Sequence, residues 1–256
     1  MTLTNYLKYY FKAKTKYQIH SPFVFDLVEN VLEDTRYYYY FDAIEHYRKT
    51  LNQSAATIKD RETGTTISIK QIAQKKIVSE KIGQFLFRLV NHYQPKNGLE
   101  IGTSLGLTTL YQGTPSKSFS LTSFEANAAL AQFTQQQLIK MGLTQVVIHS
   151  GVTNKQVLKK IGSLTQLDYV LLNELVPITT IDLMLQKCTT NAVLIINKPY
   201  STIVKTDHWQ WLKQNATIPL TIDLYDLGIA FPKAEQKQKT HFNLIKYIKK
   251  PWAMFW

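Results

Sequence analysis

Two carboxylates and two glycines are spaced here as a nucleoside site would need them. Glu100 lies in the run Gly98-Leu99-Glu100-Ile101-Gly102-Thr103-Ser104-Leu105-Gly106-Leu107-Thr108-Thr109, and Glu125 follows Gly106 by 19 residues. Leu99 and Ile101 read as a buried strand, Gly102 and Gly106 as a sharp turn that lets backbone approach a ligand, and Leu107 onward as a helix start. A helix beginning there would direct unpaired N–H groups at the ligand. Glu125 ends the strand-like run 119–124. Its distance from the turn is near the ~20 residues at which a carboxylate grips a ribose in nucleotide-binding folds.

The elements that must position these groups alternate. Strands are expected at 98–101, 119–124, 145–149, 168–172, 192–196 and 218–224, with helical patterns at 107–112, 127–141, 154–162, 179–188 and 202–214. That alternation predicts an α/β chain, a Rossmann-like doubly wound and mostly parallel sheet. The late runs 228–231 and 242–245 have no crossover helix between them, so an antiparallel strand is expected near the C-terminus. Ligands of such sheets sit outside the carboxyl ends of the strands. That rule gathers Gly102–Gly106, Glu125–Ala126, Ser150–Val152, Asn173–Glu174 and Asn197–Ser201 into one candidate region.

Residues upstream of the glycine turn read as helical. Ser21-Pro22 resembles a helix start with proline at its first position, and Leu27, Val28, Val31 and Leu32 follow at helical spacing. Residues 52–68 read as a loop, and Ser68 to Tyr93 as one long amphipathic stretch. Tyr37–Tyr40 would pack the helical extension onto the sheet or wall an aromatic pocket.

The 256 residues suffice for one large α/β domain, or a domain with an extension, and no apolar run reaches the ~20 residues that span a bilayer. One cysteine, Cys188, rules out an intrachain disulfide framework. With no signal-peptide pattern in residues 1–16, a cytoplasmic location is expected. The formal charge of +12 is uneven: residues 1–20 carry four lysines and no acid, and 233–256 carry six lysines against Glu235. Aromatics interleaved with these lysines suit a nucleic acid or a membrane surface, or else a solvated basic face with its rings turned inward. His20, His46, His92, His149 and His241 lack metal-ligand spacing, and His208 reads as part of a helix that buries Trp209 or Trp211.

The run Leu99–Thr109 together with Glu125 resembles the first motif and acidic ribose-binding position of Rossmann-like (class I) S-adenosylmethionine-dependent methyltransferases, especially small O-methyltransferase-like enzymes. The resemblance spans about residues 79 to 232. It implies a helical N-terminal extension at 1–75 before a methyltransferase-like domain at 76–256, and S-adenosylmethionine as cofactor. Gly102 and Gly106 would clear space for the cofactor, Thr103 and Ser104 would bond its carboxylate, and Glu100 would accept from its ammonium. Glu125, with Ala126 beside it, would take the ribose hydroxyls, Val152 would flank the adenine, and Asn173 would complete the cofactor-binding set.

The chemical end departs from that family. Its metal-dependent members carry acidic residues after the fourth and fifth strands, oxygen ligands suited to a hard divalent cation. Here Asn173, Asn197 and Lys198 stand in those places and Glu174 is the carboxylate left nearby. No catalytic metal is expected. Methyl transfer to a small molecule would then rely on alignment and a base, with Lys198, Glu174 and Tyr200 as candidates. Two other readings stay open: a relative that keeps the cofactor or a partner but not catalysis, and a nucleic-acid-binding protein or RNA methyltransferase using the basic termini.

Overall fold

The computed structural model describes residues 3–59, 64–150, 154–235 and 238–250. In chain order the helices are α1 (Leu3–Lys12), α2 (Pro22–Leu27), α3 (Tyr40–Gln53), α4 (Ile69–Lys76), α5 (Glu80–Tyr93), α6 (Leu107–Gly113), α7 (Ala128–Lys140), α8 (Asn154–Ser163), α9 (Ile178–Lys187) and α10 (Ile203–Gln214). The strands are β1 (Thr57–Lys59), β2 (Thr66–Ser68), β3 (Asn97–Ile101), β4 (Ser120–Glu125), β5 (Val146–Ser150), β6 (Leu167–Leu172), β7 (Cys188–Asn197), β8 (Leu220–Asp223), β9 (Leu227–Phe231) and β10 (Thr240–Asn243). They form two compact units, one of residues 35–164 and one of residues 1–34 with 165–256.

In the unit of residues 35–164, β4 lies between β3 and β5 and all three run parallel, with Ile101 opposite Phe124 and Glu125 opposite Ser150. Burial on both faces is what a parallel strand requires, and Leu99, Ile101, Leu121 and Phe124 are buried accordingly. Helix α5 buries Phe85, Leu86, Leu89 and Val90. The amphipathic stretch from Ser68 is two helices, not one. Ser68 caps α4, accepting from the Gln71 amide at 3.4 Å, and Ser79 starts α5 by accepting from the Ile82 amide at 3.5 Å. The expected loop over 52–68 instead contains β1 and β2, paired antiparallel with Ile58 opposite Ile67; three-residue strands are too short to stand out as a period-two pattern. Tyr38 packs on Phe41 and Phe87, whereas Tyr37 and Tyr39 stay exposed, so the tyrosine run is divided between core and surface.

In the other unit the strand order is β10-β8-β9-β7-β6. β6 and β7 are parallel, and β9 is antiparallel to both β7 and β8, which is the antiparallel strand expected near the C-terminus. β10 returns parallel to β8. Ser21 and Pro22 do start α2, and Leu27, Val28, Val31 and Leu32 are all buried, the last three in a π-helical turn that extends it. The two basic ends meet in this unit. Lys14 pairs with Leu244, Tyr9 donates to the Leu244 carbonyl, and the Lys250 ammonium caps α1 by donating to the carbonyls of Tyr10 (3.0 Å) and Ala13 (2.9 Å). Lys16 is likewise committed, to Glu29 at 3.0 Å and Glu33 at 3.1 Å. Part of the terminal positive charge therefore holds the unit together. Among the described residues no helix is long and apolar enough to cross a membrane.

Candidate functional site

The glycine turn lies between β3 and α6 and is braced from four directions. Gly102 takes φ +90° and Gly106 φ +77°, conformations that favour glycine. The amides of Gly102 (2.8 Å) and Thr103 (3.3 Å) both donate to the Phe124 carbonyl of β4. Tyr47 of α3 donates to the Leu105 carbonyl at 3.2 Å, and Thr134 of α7 donates to the Ser104 carbonyl at 2.7 Å. The Ser104 amide donates to Glu125 Oε2 at 2.8 Å. Such bracing fixes the geometry of the turn.

Glu100 stands behind this turn. Its side chain is wholly buried and accepts four side-chain hydrogen bonds: Thr108 (2.6 Å) and Gln112 (2.9 Å) at Oε1, Thr109 (2.6 Å) and Ser123 (2.8 Å) at Oε2. Burial pushes its pKa up and the four donors pull it down, with burial the larger effect. Ser123 has one proton and gives it to Glu100. Thr103, 2.6 Å from Ser123, is then the donor to it, so its buried hydroxyl faces inward. The expectation that Gly106 clears room for a ligand meets a different packing. A Cβ at Gly106 would lie 2.7 Å from Thr134 Cγ2 and 3.3 Å from Leu138 Cδ2, so this glycine admits α7.

Two groups at the turn keep unused hydrogen-bonding capacity. Ser104 is in the left-handed region at φ +51°, and its buried Oγ has no hydrogen-bond partner. Glu125, half-buried at the end of β4, uses one oxygen for Ser104 and the other for the Asn127 amide (3.1 Å). Each carboxylate oxygen keeps acceptor capacity beyond one bond. Ala126 is exposed beside it, and Asn127 caps α7 by accepting from Leu130 at 2.8 Å. Val152 lies outside the described residues.

The second cluster is in the other unit, at the carboxyl ends of β6 and β7. Asn197 Nδ2 donates to Asn173 Oδ1 at 2.9 Å, and the buried Asn197 Oδ1 has no partner. The Lys205 ammonium donates to the main-chain carbonyls of both asparagines, 2.6 Å to Asn173 and 3.1 Å to Asn197. Desolvation by burial holds the Lys205 pKa below the lysine range; Glu174 opposes this and Lys198 adds to it. Glu174, Lys198 and Lys205 therefore share one electrostatic neighbourhood. Lys198 takes φ +52° and its amide donates to the Asp226 carbonyl at 2.8 Å. Lys205 escaped the sequence reading although it carried a signal. It lies in the first turn of α10, three residues after the Thr202 cap, where the helix dipole disfavours a cation.

Tyr200 faces elsewhere. Its hydroxyl donates to Asp223 of β8, and its ring stacks on Tyr225 at 5.5 Å. Burial and the Asp223 carboxylate push its pKa well above the tyrosine range, so it is a poor base. His208 is buried between the carbonyls of Val204 (2.7 Å) and Val176 (2.9 Å), an anchoring role beside the buried Trp209. Cys188 is buried, and its thiol pKa is pushed up to about 12 by burial, which suits packing and not nucleophilic attack. Among the described residues no three of His, Cys, Asp and Glu gather as a metal-binding group.

No protein-family model matches the sequence, and no curated protein matches it. Solved structures do. A Podospora anserina methyltransferase with S-adenosylhomocysteine bound is similar at TM-score 0.58 and 10% identity, over 83% of this chain and 96% of that one. A Bacillus cereus O-methyltransferase in complex with S-adenosylhomocysteine gives TM-score 0.55 and 15% identity, over 81% and 96%. The O-methyltransferase TomG from Streptomyces achromogenes, involved in tomaymycin synthesis and in complex with S-adenosylmethionine, gives 0.55 and 13%, over 80% and 94%. These likenesses show the Rossmann-like α/β fold of class I O-methyltransferases.

Proposed function

We propose that this chain is an S-adenosylmethionine-dependent methyltransferase acting on a small molecule without a catalytic metal. The observation that carries the reading is the braced turn with an unpartnered Ser104 hydroxyl beside Glu125. A buried hydroxyl left unpaired costs free energy, and a ligand's polar group would recover it. Ser104 Oγ would donate to the carboxylate of the cofactor's amino acid, and Glu125 would accept from the ribose hydroxyls. Glu100 is assigned the task of fixing α6 and the turn from behind. The cofactor, when bound, supplies a methyl group on a sulfonium, ready for in-line displacement.

The chain's own residues would do the rest. Asn197 Oδ1, buried and unpartnered, would accept from an acceptor hydroxyl and orient its oxygen. The Lys205 ammonium supplies fixed positive charge where metal-dependent relatives would be expected to place a cation, and Glu174 is the carboxylate available to take a proton. Amide oxygens beside an ammonium make a poor site for a divalent ion, because the two cations repel.

One observation favours a second reading. Lys205 already occupies the carbonyls of Asn173 and Asn197, as it would in a cofactor-binding relative that no longer catalyses. Transfer of tritium from methyl-labelled S-adenosylmethionine into a low-mass metabolite fraction separates the two. The enzyme reading predicts transfer that EDTA leaves unchanged within twofold and that Lys205→Gln slows about tenfold at neutral pH. Transfer lost with EDTA refutes metal independence, and intact cofactor binding without any transfer supports the second reading.

A further inference from the structure

A cavity of about 340 Å³ opens in the unit of residues 1–34 and 165–256, lined by groups that methyl transfer does not use. Lys8 and Lys12, one turn apart on α1, line it with Lys213 from the last turn of α10 and His241 from β10, over the rings of Tyr9 and Tyr200. No aspartate or glutamate is among its lining residues. Its volume is in the range of small-molecule sites.

The cavity's ammonium groups, those of Lys8, Lys12 and Lys213, make no ion pair among the described residues. The buried Asp223 acts on Lys213 electrostatically but makes no ion pair with it, and it is held by three donors of its own. It accepts from Tyr200, from Trp209 Nε1 at 3.0 Å and from the Tyr225 amide at 2.8 Å. Lys213 is half-buried, with its ammonium 5.7 Å from the Trp209 ring centroid. Burial holds its pKa below the lysine range; Asp223 opposes this and Lys12 adds to it, as two ammonium groups converging on one space should. The tyrosine hydroxyls are also spent, Tyr9 on the Leu244 carbonyl and Tyr200 on Asp223, and both rings pack on Tyr225 (5.4 and 5.5 Å). What they present to the cavity is the remaining apolar ring surface, more of it from the half-buried Tyr200 than from the buried Tyr9.

We propose that this cavity binds a small phosphate monoester whose organic part is aromatic. Three ammonium groups call for more than one negative charge and several acceptor oxygens. A phosphate monoester supplies a charge of about −1.5 to −2 and three such oxygens, where a carboxylate supplies one charge and two. The two tyrosine rings account for the flat organic part. A cavity of this size takes one phosphate and one ring system, and not a nucleic-acid strand.

Calorimetric titration of the full chain with phenyl phosphate, inorganic phosphate and phenol tests the site. Phenyl phosphate should bind saturably, at least tenfold tighter than either fragment, and weaken as salt rises. Lys213→Gln and Lys12→Gln should each lower its affinity about tenfold, the loss expected for one charge-assisted hydrogen bond. Lys8→Gln, at an exposed position that threatens folding least, should weaken binding in the same direction. Lys81→Gln, an exposed control on α5 in the other unit, should leave it within twofold. Equal affinity for phenyl phosphate and inorganic phosphate, unchanged affinity in all three cavity variants, or binding of a single-stranded oligonucleotide without binding of phenyl phosphate would each overturn the proposal.

Discussion

Replacing Glu100 by leucine removes the acceptor of four buried side-chain hydrogen bonds while keeping most of the volume. At about 1 kcal/mol net each, the bonds together are worth roughly 4 kcal/mol. About 1 kcal/mol returns, because the Thr108 and Thr109 hydroxyls can turn to backbone carbonyls one turn earlier. The expected loss is therefore ~3 kcal/mol, a fall of about 6–12 °C in the thermal midpoint for a chain of this size. Glu100→Gln retains an acceptor oxygen and should cost ~1 kcal/mol or less. The pH dependence adds a second check. The folded-state pKa of Glu100 is raised above the ordinary value of 4.5, so the folded state holds its proton more tightly than the unfolded chain. Its contribution to stability is then complete below about pH 4.5 and falls as pH rises toward the folded-state value. Thermal melts from pH 4 to pH 8 should show the wild type losing stability relative to Glu100→Gln with rising pH. A leucine variant as stable as the glutamine variant, or a difference between wild type and Glu100→Gln that ignores pH, would refute the picture of a buried, desolvated anchor.

Tyr200→Phe should leave methyl-transfer rates within about threefold while lowering stability by ~1–2 kcal/mol, because Asp223 loses a donor; a large rate loss at unchanged stability would make Tyr200 a base after all. Lys205→Gln should remove the alkaline limb of the kcat/KM profile. In the wild type that limb falls as the ammonium deprotonates, at a pH below the ordinary lysine value of 10.5. An unchanged profile in the variant would clear Lys205 of that role.

Much of the fold was legible because its signals are local. Buried parallel strands such as Val193–Ile196 show as apolar runs, Ser21-Pro22 as a helix start, and the late strands without a crossover helix as an antiparallel return. The break at Ser79 was missed because apolar spacing continues across it, and only the side-chain cap ends one helix and starts the next. At the candidate site, spacing pointed to Glu125 and the resemblance to Glu100 and Ser104, but neither showed what each touches. Gly106 serves the approach of α7, and Glu100 is enclosed by four donors, facts that depend on residues up to 32 positions from them in sequence, such as Leu138. Lys198 was a candidate because it stands where the resemblance expects an acidic residue, and Tyr200 because it follows closely, whereas the ammonium that reaches Asn173 and Asn197 belongs to Lys205, eight residues past Asn197 in the chain. The lysine-rich ends suggested nucleic acid as one partner; Lys16 and Lys250 prove committed to the unit's own carboxylates and carbonyls, and Lys8 and Lys12 line the cavity.

The most direct test of the central claim is calorimetric titration of S-adenosylhomocysteine into the wild type, Ser104→Ala and Glu125→Gln, each with and without Mg²⁺. The account predicts micromolar binding by the wild type, indifference to Mg²⁺, and affinity at least tenfold weaker in each variant, since each removes a hydrogen bond to a polar or charged group. No binding by ligand-free wild type, or equal affinity in all three proteins, would contradict it.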